Sequence, residues 1–221
     1  MKEGLQLMRK IEMTEMERDL AYFDSLLIIR EKDAENLIPQ YIFQKDEKYD
    51  DIGKYICKQQ ILERNLQRSY IRSGVTELGE MYIASVYYGK GAIKHTHLKV
   101  SLPNGDYKET AVVPADGAIN YSFVDDGMTT EVITYQNGRD NGVISFICEN
   151  PDAKIKAEYL GGKKYTLFIS EADKQSIVKI DELATVLSDI QKIKKEMNRM
   201  RGRLEYLTDK LENTAVPDSL Q

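Results

Sequence analysis

The sequence predicts an α+β fold: an antiparallel β module flanked by an N-terminal helical hairpin and a long C-terminal coiled-coil-like helix. Three observations predict it. Apolar residues recur at helical spacing through the N-terminal third. From about residue 80 the period becomes two, punctuated by turn dipeptides. After Ser170 nothing breaks a helix until about residue 212. The expected boundaries are a helical region at 1–73, a β-rich module at 74–170, a long helix at 171–212 and a flexible tail at 213–221.

Residues 5–38 read as helix. Met16, Leu20, Phe23 and Leu27 form one apolar stripe, and Tyr22, Leu26 and Ile29 widen it, which predicts cover on more than one side. Thr14-Glu15-Met16-Glu17 has the form of a capping box that would split off a short helix at 5–12; one continuous helix is the other option. Pro39 ends the segment. A polar loop at 40–49 precedes a second helix at 50–72, marked by Ile52, Ile56, Leu62, Leu66 and Tyr70. So short a connection favours an antiparallel hairpin.

Residues 81–88 are apolar on both faces, as in a central strand. Leu98, Val100 and Leu102 alternate with His97, Lys99 and Ser101, which gives a strand with one wet face. Asn104-Gly105 turns the chain into 107–113. Asp116-Gly117 and Asp126-Gly127 bound strands near 118–124 and 129–136, so the whole reads as an antiparallel meander. Val143 to Cys148 reads as a short helix ended by Asn150-Pro151, with a buried strand as the alternative. Strands at 153–159 and 164–169 follow, joined by Gly161-Gly162. Ser170 then caps the long helix, with Asp173 in its first turn.

Within that helix Ile193, Met197, Met200, Leu204, Leu207 and Leu211 are spaced 4, 3, 4, 3, 4, a heptad seam. Ile180, Leu183, Leu187 and Ile190 form a second seam upstream, and the three-residue step from Ile190 to Ile193 shifts the face. Burying each such side chain is worth about 1.5–3 kcal/mol, so a partner is expected. The N-terminal helices of the same chain come first, then a homo-oligomer or another protein. Lys192, Lys194, Lys195, Arg199, Arg201 and Arg203 read as a solvated face beside the seam. Gly202 costs about 1 kcal/mol in a helix interior and marks either a close backbone approach or nothing.

A formal charge of −5 argues against general nucleic-acid binding, and no window approaches the about 18 apolar residues of a membrane span. Without a signal peptide the default compartment is the cytoplasm; a trimmed start would leave the cell envelope open. Cys57 and Cys148 fit no metal spacing. One disulfide and two buried thiols both satisfy the sequence.

His95 and His97 are the only histidines. On a strand they would share a face, and such a pair can offer two imidazoles to zinc or copper once a further ligand joins. An exposed polar face is the simpler expectation. Asp125 and Asp126 read as turn residues rather than a calcium loop. No nucleophile elbow, P-loop or dinucleotide fingerprint is present, and neither cysteine sits where its thiol would be activated.

The runs Ile147-Cys148-Glu149-Asn150-Pro151-Asp152, Lys164-Tyr165-Thr166-Leu167 and Ser170-Glu171-Ala172-Asp173-Lys174 resemble uncharacterised bacterial proteins with a small β-containing module and a coiled-coil tail. The resemblance spans Tyr82 to Leu187 and implies no activity, cofactor or site residue. Some of those proteins are envelope-associated, whereas this sequence shows no export signal. The expectation is therefore a non-enzymatic structural or interaction protein, without cofactor, acting through the seam from Ile193 to Leu211. The alternative is a ligand- or metal-binding module around His95 and His97, with Tyr87 or Tyr88 beside them.

Overall fold

The computed structural model describes residues 2–45 and 51–215. The architecture is α+β. A long helix, α1 (Lys2–Leu37), leads into β1 (Tyr41–Gln44), β2 (Lys54–Cys57), β3 (Tyr70–Thr76), β4 (Met81–Gly89), β5 (His97–Ser101), β6 (Tyr107–Glu109), β7 (Asn120–Asp125) and β8 (Met128–Tyr135). A short helix, α2 (Val143–Cys148), precedes β9 (Lys156–Leu160) and β10 (Tyr165–Phe168). The helix α3 (Glu171–Ala215) follows. The flexible tail expected from 213 lies outside the described residues beyond Ala215, as do residues 46–50 of the expected loop.

The N-terminal hairpin is corrected to a single helix. Thr14 is not a cap: its Oγ1 donates back to the Lys10 carbonyl at 3.0 Å inside α1. Over 51–72, the described part of that expected helix, the chain forms β2, two 3₁₀ turns (Lys58–Gln60 and Leu62–Arg64) and the start of β3. The reason lies in Tyr55, Ile56 and Cys57, strand-forming residues that pair with β1, and in Gln60. The Gln60 side chain is buried and donates to the Ile71 carbonyl at 2.9 Å. Its Oε1 accepts from the Ser73 amide at 2.8 Å. A buried amide that serves β3 in this way holds the segment as strand–turn–strand. The polar loop expected at 40–49 likewise contains β1, with Tyr41 buried and its hydroxyl donating to the Lys179 carbonyl at 2.7 Å.

The strands make two antiparallel sheets, ordered β1-β2-β3-β4-β8-β7 and β10-β9-β5-β6. The expected meander is thus divided: β5 and β6 leave their sequence neighbours and join β9 and β10 in the second sheet. The main core contains Ile71, Ile83, Tyr87, Ile133 and Tyr135 from the first sheet and Leu98, Val100, Ala157 and Tyr159 from the second. Helix α2 and Ile177 of α3 complete it. Tyr159 ties the layers together, its hydroxyl donating to the Tyr70 carbonyl at 2.9 Å.

The first half of α3 belongs to this module. Ile180, Leu183, Leu187 and Ile190 pack with Tyr41, Cys57 and Val75, and with Ala34 of α1. Gly79 turns between β3 and β4 with φ +83° against the α3 backbone; a Cβ there would meet the Ser188 nitrogen at 2.3 Å. Ser170 caps α3, accepting from the Asp173 amide at 3.1 Å. Asp173 is buried, and its carboxylate is held by the Arg68 guanidinium at 2.7 and 3.0 Å. One charge-assisted fork therefore fixes the start of α3 to the turn before β3.

Past Ile190, α3 pairs antiparallel with α1. The register is set by Lys194 with Glu31 at 2.9 Å, Arg201 with Asp24 at 3.8 Å and Arg203 with Glu12 at 2.9 Å. Met13, Met16, Leu20, Phe23 and Leu27 form the half-buried stripe of α1 along this pairing, continued by Ala34 in the module core. At about 1.5 Å per residue the 36 residues of α1 span about 54 Å and the 45 of α3 about 67 Å. No helix of the described residues is long and apolar enough to cross a membrane.

Candidate functional site

Three places could carry function: the helical arm, a buried histidine network between the sheets, and a groove on the outer face of the larger sheet.

The seam is turned inward. Met197 and Leu207 are 1% and 2% exposed, and Ile193, Met200, Leu204 and Leu211 are half-buried. α1 packs along α3 over this stretch. Gly202 is exposed with open space around it, so it marks no close approach. The outward flank of α1 differs from expectation. Tyr22 and Ile29 were expected to be covered, yet they are 61% and 56% exposed, and Ile28, Leu5, Leu7, Met8 and Ile11 are exposed with them. A second helix covers only one stripe of the first, and that stripe is the heptad one.

His95 and His97 do not form a common exposed face. Lys94 has φ +57°, which breaks the extended run before β5, and His95 precedes the strand. The His95 side chain is fully buried and stacks on Tyr159 with centroids 4.8 Å apart. Its Nδ1 lies 2.7 Å from Glu131 Oε2 and its Nε2 2.9 Å from Ser85 Oγ, which is 3.1 Å from the Tyr135 hydroxyl. An ionised carboxylate only accepts, so Nδ1 donates to it. His95 Nε2 and the Ser85 hydroxyl share the next hydrogen bond of the chain, and the Ser85 and Tyr135 hydroxyls the one after it. The amides of Ile93, Lys94 and His95 also donate to Glu131. Burial alone would raise the Glu131 carboxyl, but the His95 and backbone hydrogen bonds hold it below the ordinary value. His97 is partly exposed and bonds elsewhere, with Nε2 3.0 Å from Glu109 and Nδ1 3.0 Å from Thr96 Oγ1. Every imidazole nitrogen thus has a protein partner. No cluster of three or more His, Cys, Asp or Glu suited to a metal occurs among the described residues.

Ser85, His95 and Glu131 have the connectivity of a nucleophile, a base and an orienting carboxylate. Ser85 is 0% exposed, however, so no substrate carbonyl reaches its Oγ in this conformation. The arrangement instead works as a polar tie: Ser85 on β4 and Glu131 on β8 hold the segment that enters β5, and so join the two sheets. Cys57 is buried and Cys148 half-buried. Cys57 and Cys148 are both free, and burial pushes the Cys148 thiol up to about 12.

Ser85 and Glu131 were not singled out from the sequence. Glu131 carried a signal: Thr129, Glu131, Ile133 and Tyr135 alternate as the inward face of β8, and a carboxylate at an inward position needs a partner. Ser85 lies in a run that reads as apolar on both faces, and nothing local points to a partner ten residues away.

The groove lies over β3, β4, β8 and β7, walled at one end by the turn that carries Leu62, Leu66 and Arg68. Tyr70, Val86, Tyr88, Tyr121, Phe123 and Val132 line it, and its volume is about 360 Å³. Arg72 lies at the β3 side; Asp125 and Asp126, in the β7–β8 turn, lie at the other.

No family model, curated protein or solved structure matches the chain.

Proposed function

We propose that this is a non-enzymatic interaction protein whose two-helix arm pairs with the arm of a second copy. The observation that carries the reading is the set of large apolar side chains that α1 leaves in water, in two groups, Leu5, Leu7, Met8 and Ile11 near its start and Tyr22, Ile28 and Ile29 further along, on a helix pair that already satisfies its own seam. Leaving side chains of this size wet forgoes about 1.5–3 kcal/mol each, and groups of exposed apolar side chains mark interaction surfaces. Charge favours a second copy as the occupant. Glu15, Glu17 and Asp19 are exposed on α1 beside the apolar flank, while Lys192, Lys195 and Arg199 are exposed on α3. Laying α1 of each copy on α3 of the other makes an isologous contact that closes on itself as a four-helix bundle. The seam residues Ile193 to Leu211 then act by holding α3 against its own α1, so that the outer flank is presented on a stiff rod.

Light scattering over a concentration series tests this on the intact chain and on a Tyr22→Gln, Ile29→Gln double variant. Glutamine keeps helix propensity, so helicity should not change. The expected result is twice the chain mass for the parent, with dimer dissociation moved up in concentration by about tenfold or more in the variant. A parent that stays at the mass of one chain, or a variant that dimerises like the parent, overturns the reading.

A further inference from the structure

The outer face of the smaller sheet brings exposed aromatic rings and lysines together. Direct pairing across β10, β9, β5 and β6 sets Phe168, Lys156, Ser101 and Tyr107 in one row. Residues directly opposite share a face, and this one turns away from the core that takes Val100 and Ala157. A sheet face in water is ordinarily polar, yet Phe168 and Tyr107 are 53% and 55% exposed. Three strand spacings of about 4.8 Å set the two residues roughly 14 Å apart. A concavity of about 530 Å³ lies between Phe168 and the β5–β6 turn at Pro103 and Gly105, lined by Lys99, Lys154 and Lys156.

The charge of this face differs from that of the chain. The whole sequence carries −5, but the segments that build the sheet, 93–109 and 151–169, hold seven lysines against four carboxylates. Lys154 Nζ lies 4.2 Å from the Phe168 ring centroid and Lys99 Nζ 4.1 Å from that of Tyr107. Neither lysine forms an ion pair with a carboxylate among the described residues. The carboxylate in the lining, Glu158, is 7% exposed and already paired with Lys156 and Lys164. Glu109, one row along, is bonded to His97.

These features select the occupant. Lysines without carboxylates call for an anion, and exposed rings call for flat groups to stack on. A four-stranded sheet with outward aromatics can hold two or three bases of a single strand, with cations tracking the phosphates. The spacing of the two rings suits a run of about three nucleotides. A duplex hides its base faces and could use the lysines alone. A base stacked on either ring replaces an exposed cation–π contact, the weaker of the two, and frees the ammonium for phosphate.

We infer that the outer face of the smaller sheet binds single-stranded nucleic acid, its bases stacked on Phe168 and Tyr107 and its phosphates on Lys99, Lys154 and Lys156. This surface is independent of the arm.

The test is a fluorescence-anisotropy titration of the full chain into labelled oligo(dT) and oligo(rU) of about ten nucleotides, over a salt series, with a duplex of the same length as control. The expected result is saturable binding at about 50 mM salt with a Kd of about 100 μM or tighter, and weaker binding of the duplex. Phe168→Ala and Tyr107→Ala should each weaken binding about fivefold or more without changing the salt dependence. Lys99→Gln with Lys154→Gln should flatten the slope of log K against log salt by about 1.4. Leucine at either aromatic position keeps apolar bulk without a flat ring, and serves if an alanine variant fails to fold. No saturation up to about 500 μM chain would overturn the inference. So would equal affinity for the duplex, or binding that falls with the lysines but ignores both rings, which would mark a surface for any polyanion.

Discussion

Three backbone amides and one imidazole converge on the carboxylate of Glu131, and that convergence makes it the most consequential buried residue of the β module. Burial opposes its ionisation; the donors outweigh burial and leave the carboxyl below the ordinary glutamate value of 4.5. A carboxyl whose folded value is depressed is protonated more readily in the unfolded chain. Stability therefore rises with pH across that window, is complete above the unfolded value, and is lost as pH falls through the folded one. Glu131→Gln keeps the shape but turns an amide nitrogen toward donors. It should cost about 3 kcal/mol at neutral pH, the usual order for breaking a buried pair. Urea melts between pH 3 and 7 check both points: the variant should be less stable at pH 7 and should show a flatter acid limb. An acid limb identical to the parent's would show that the pH dependence arises elsewhere. The histidines teach the same lesson about legibility. Alternation placed His95 and His97 on one face, but the left-handed Lys94 breaks the alternation, and the partner of His95 lies 36 residues away, where no local pattern reaches.

At the scale of elements, periodicity was a reliable guide wherever a segment buries one stripe or one face along its length. The stripe of α1, the apolar run of β4, the short helix α2 between two turns and the cap at Ser170 all follow from local spacing and turn chemistry. It misled at 50–72, where Ile52, Ile56, Leu62, Leu66 and Tyr70 fall at steps of 4, 6, 4 and 4 without lying on one helix. Ile56 sits in β2, Tyr70 in β3, and Leu62 and Leu66 are exposed in the turn between them. What decides that stretch is tertiary: pairing with β1, and the Gln60 side chain bonded to β3. The groove was illegible for the same reason, because its walls come from four strands and a turn whose order in space, β3-β4-β8-β7, is not their order in sequence. The seam of α3 was legible as a seam, and the structure adds what Gly202 does within it. Gly202 is exposed in a continuous helix, and a Cβ there meets nothing within 4 Å. Gly202→Ala should therefore stabilise the arm by about 1 kcal/mol through helix propensity alone. The gain should appear as slower amide exchange around residues 198–206; a loss of stability would mean that the glycine serves a contact made only in an assembly.

For the whole molecule, α3 is the member that makes module and arm one body, and its two halves do different work. Leu187, in the first half, packs with Tyr41, Cys57 and Val75, whereas Leu207, in the second, lies outside the module core and faces α1. The ion pairs along the arm involve side chains roughly 40–60% exposed, and pairs of that kind contribute at most about 1 kcal/mol each. Truncating a buried leucine costs about 2–5 kcal/mol, so apolar packing and not charge holds the arm closed. Two leucine truncations of equal chemistry should then separate the two halves. Leu207→Ala should lower amide protection in α1 before Leu27 and in α3 after Ile193 while β3, β4 and β8 keep theirs, because the arm can open without exposing the module core. Leu187→Ala should lower protection throughout, since the helix it loosens also carries Ile177 into the main core and Asp173 to Arg68. Raising salt to about 1 M should loosen the arm less than Leu207→Ala does, as screened surface pairs require. If salt instead opened the arm as fully as the leucine truncation, the seam would be secondary to its flanking charges, and the stiffness on which the pairing of two arms depends would vary with ionic strength.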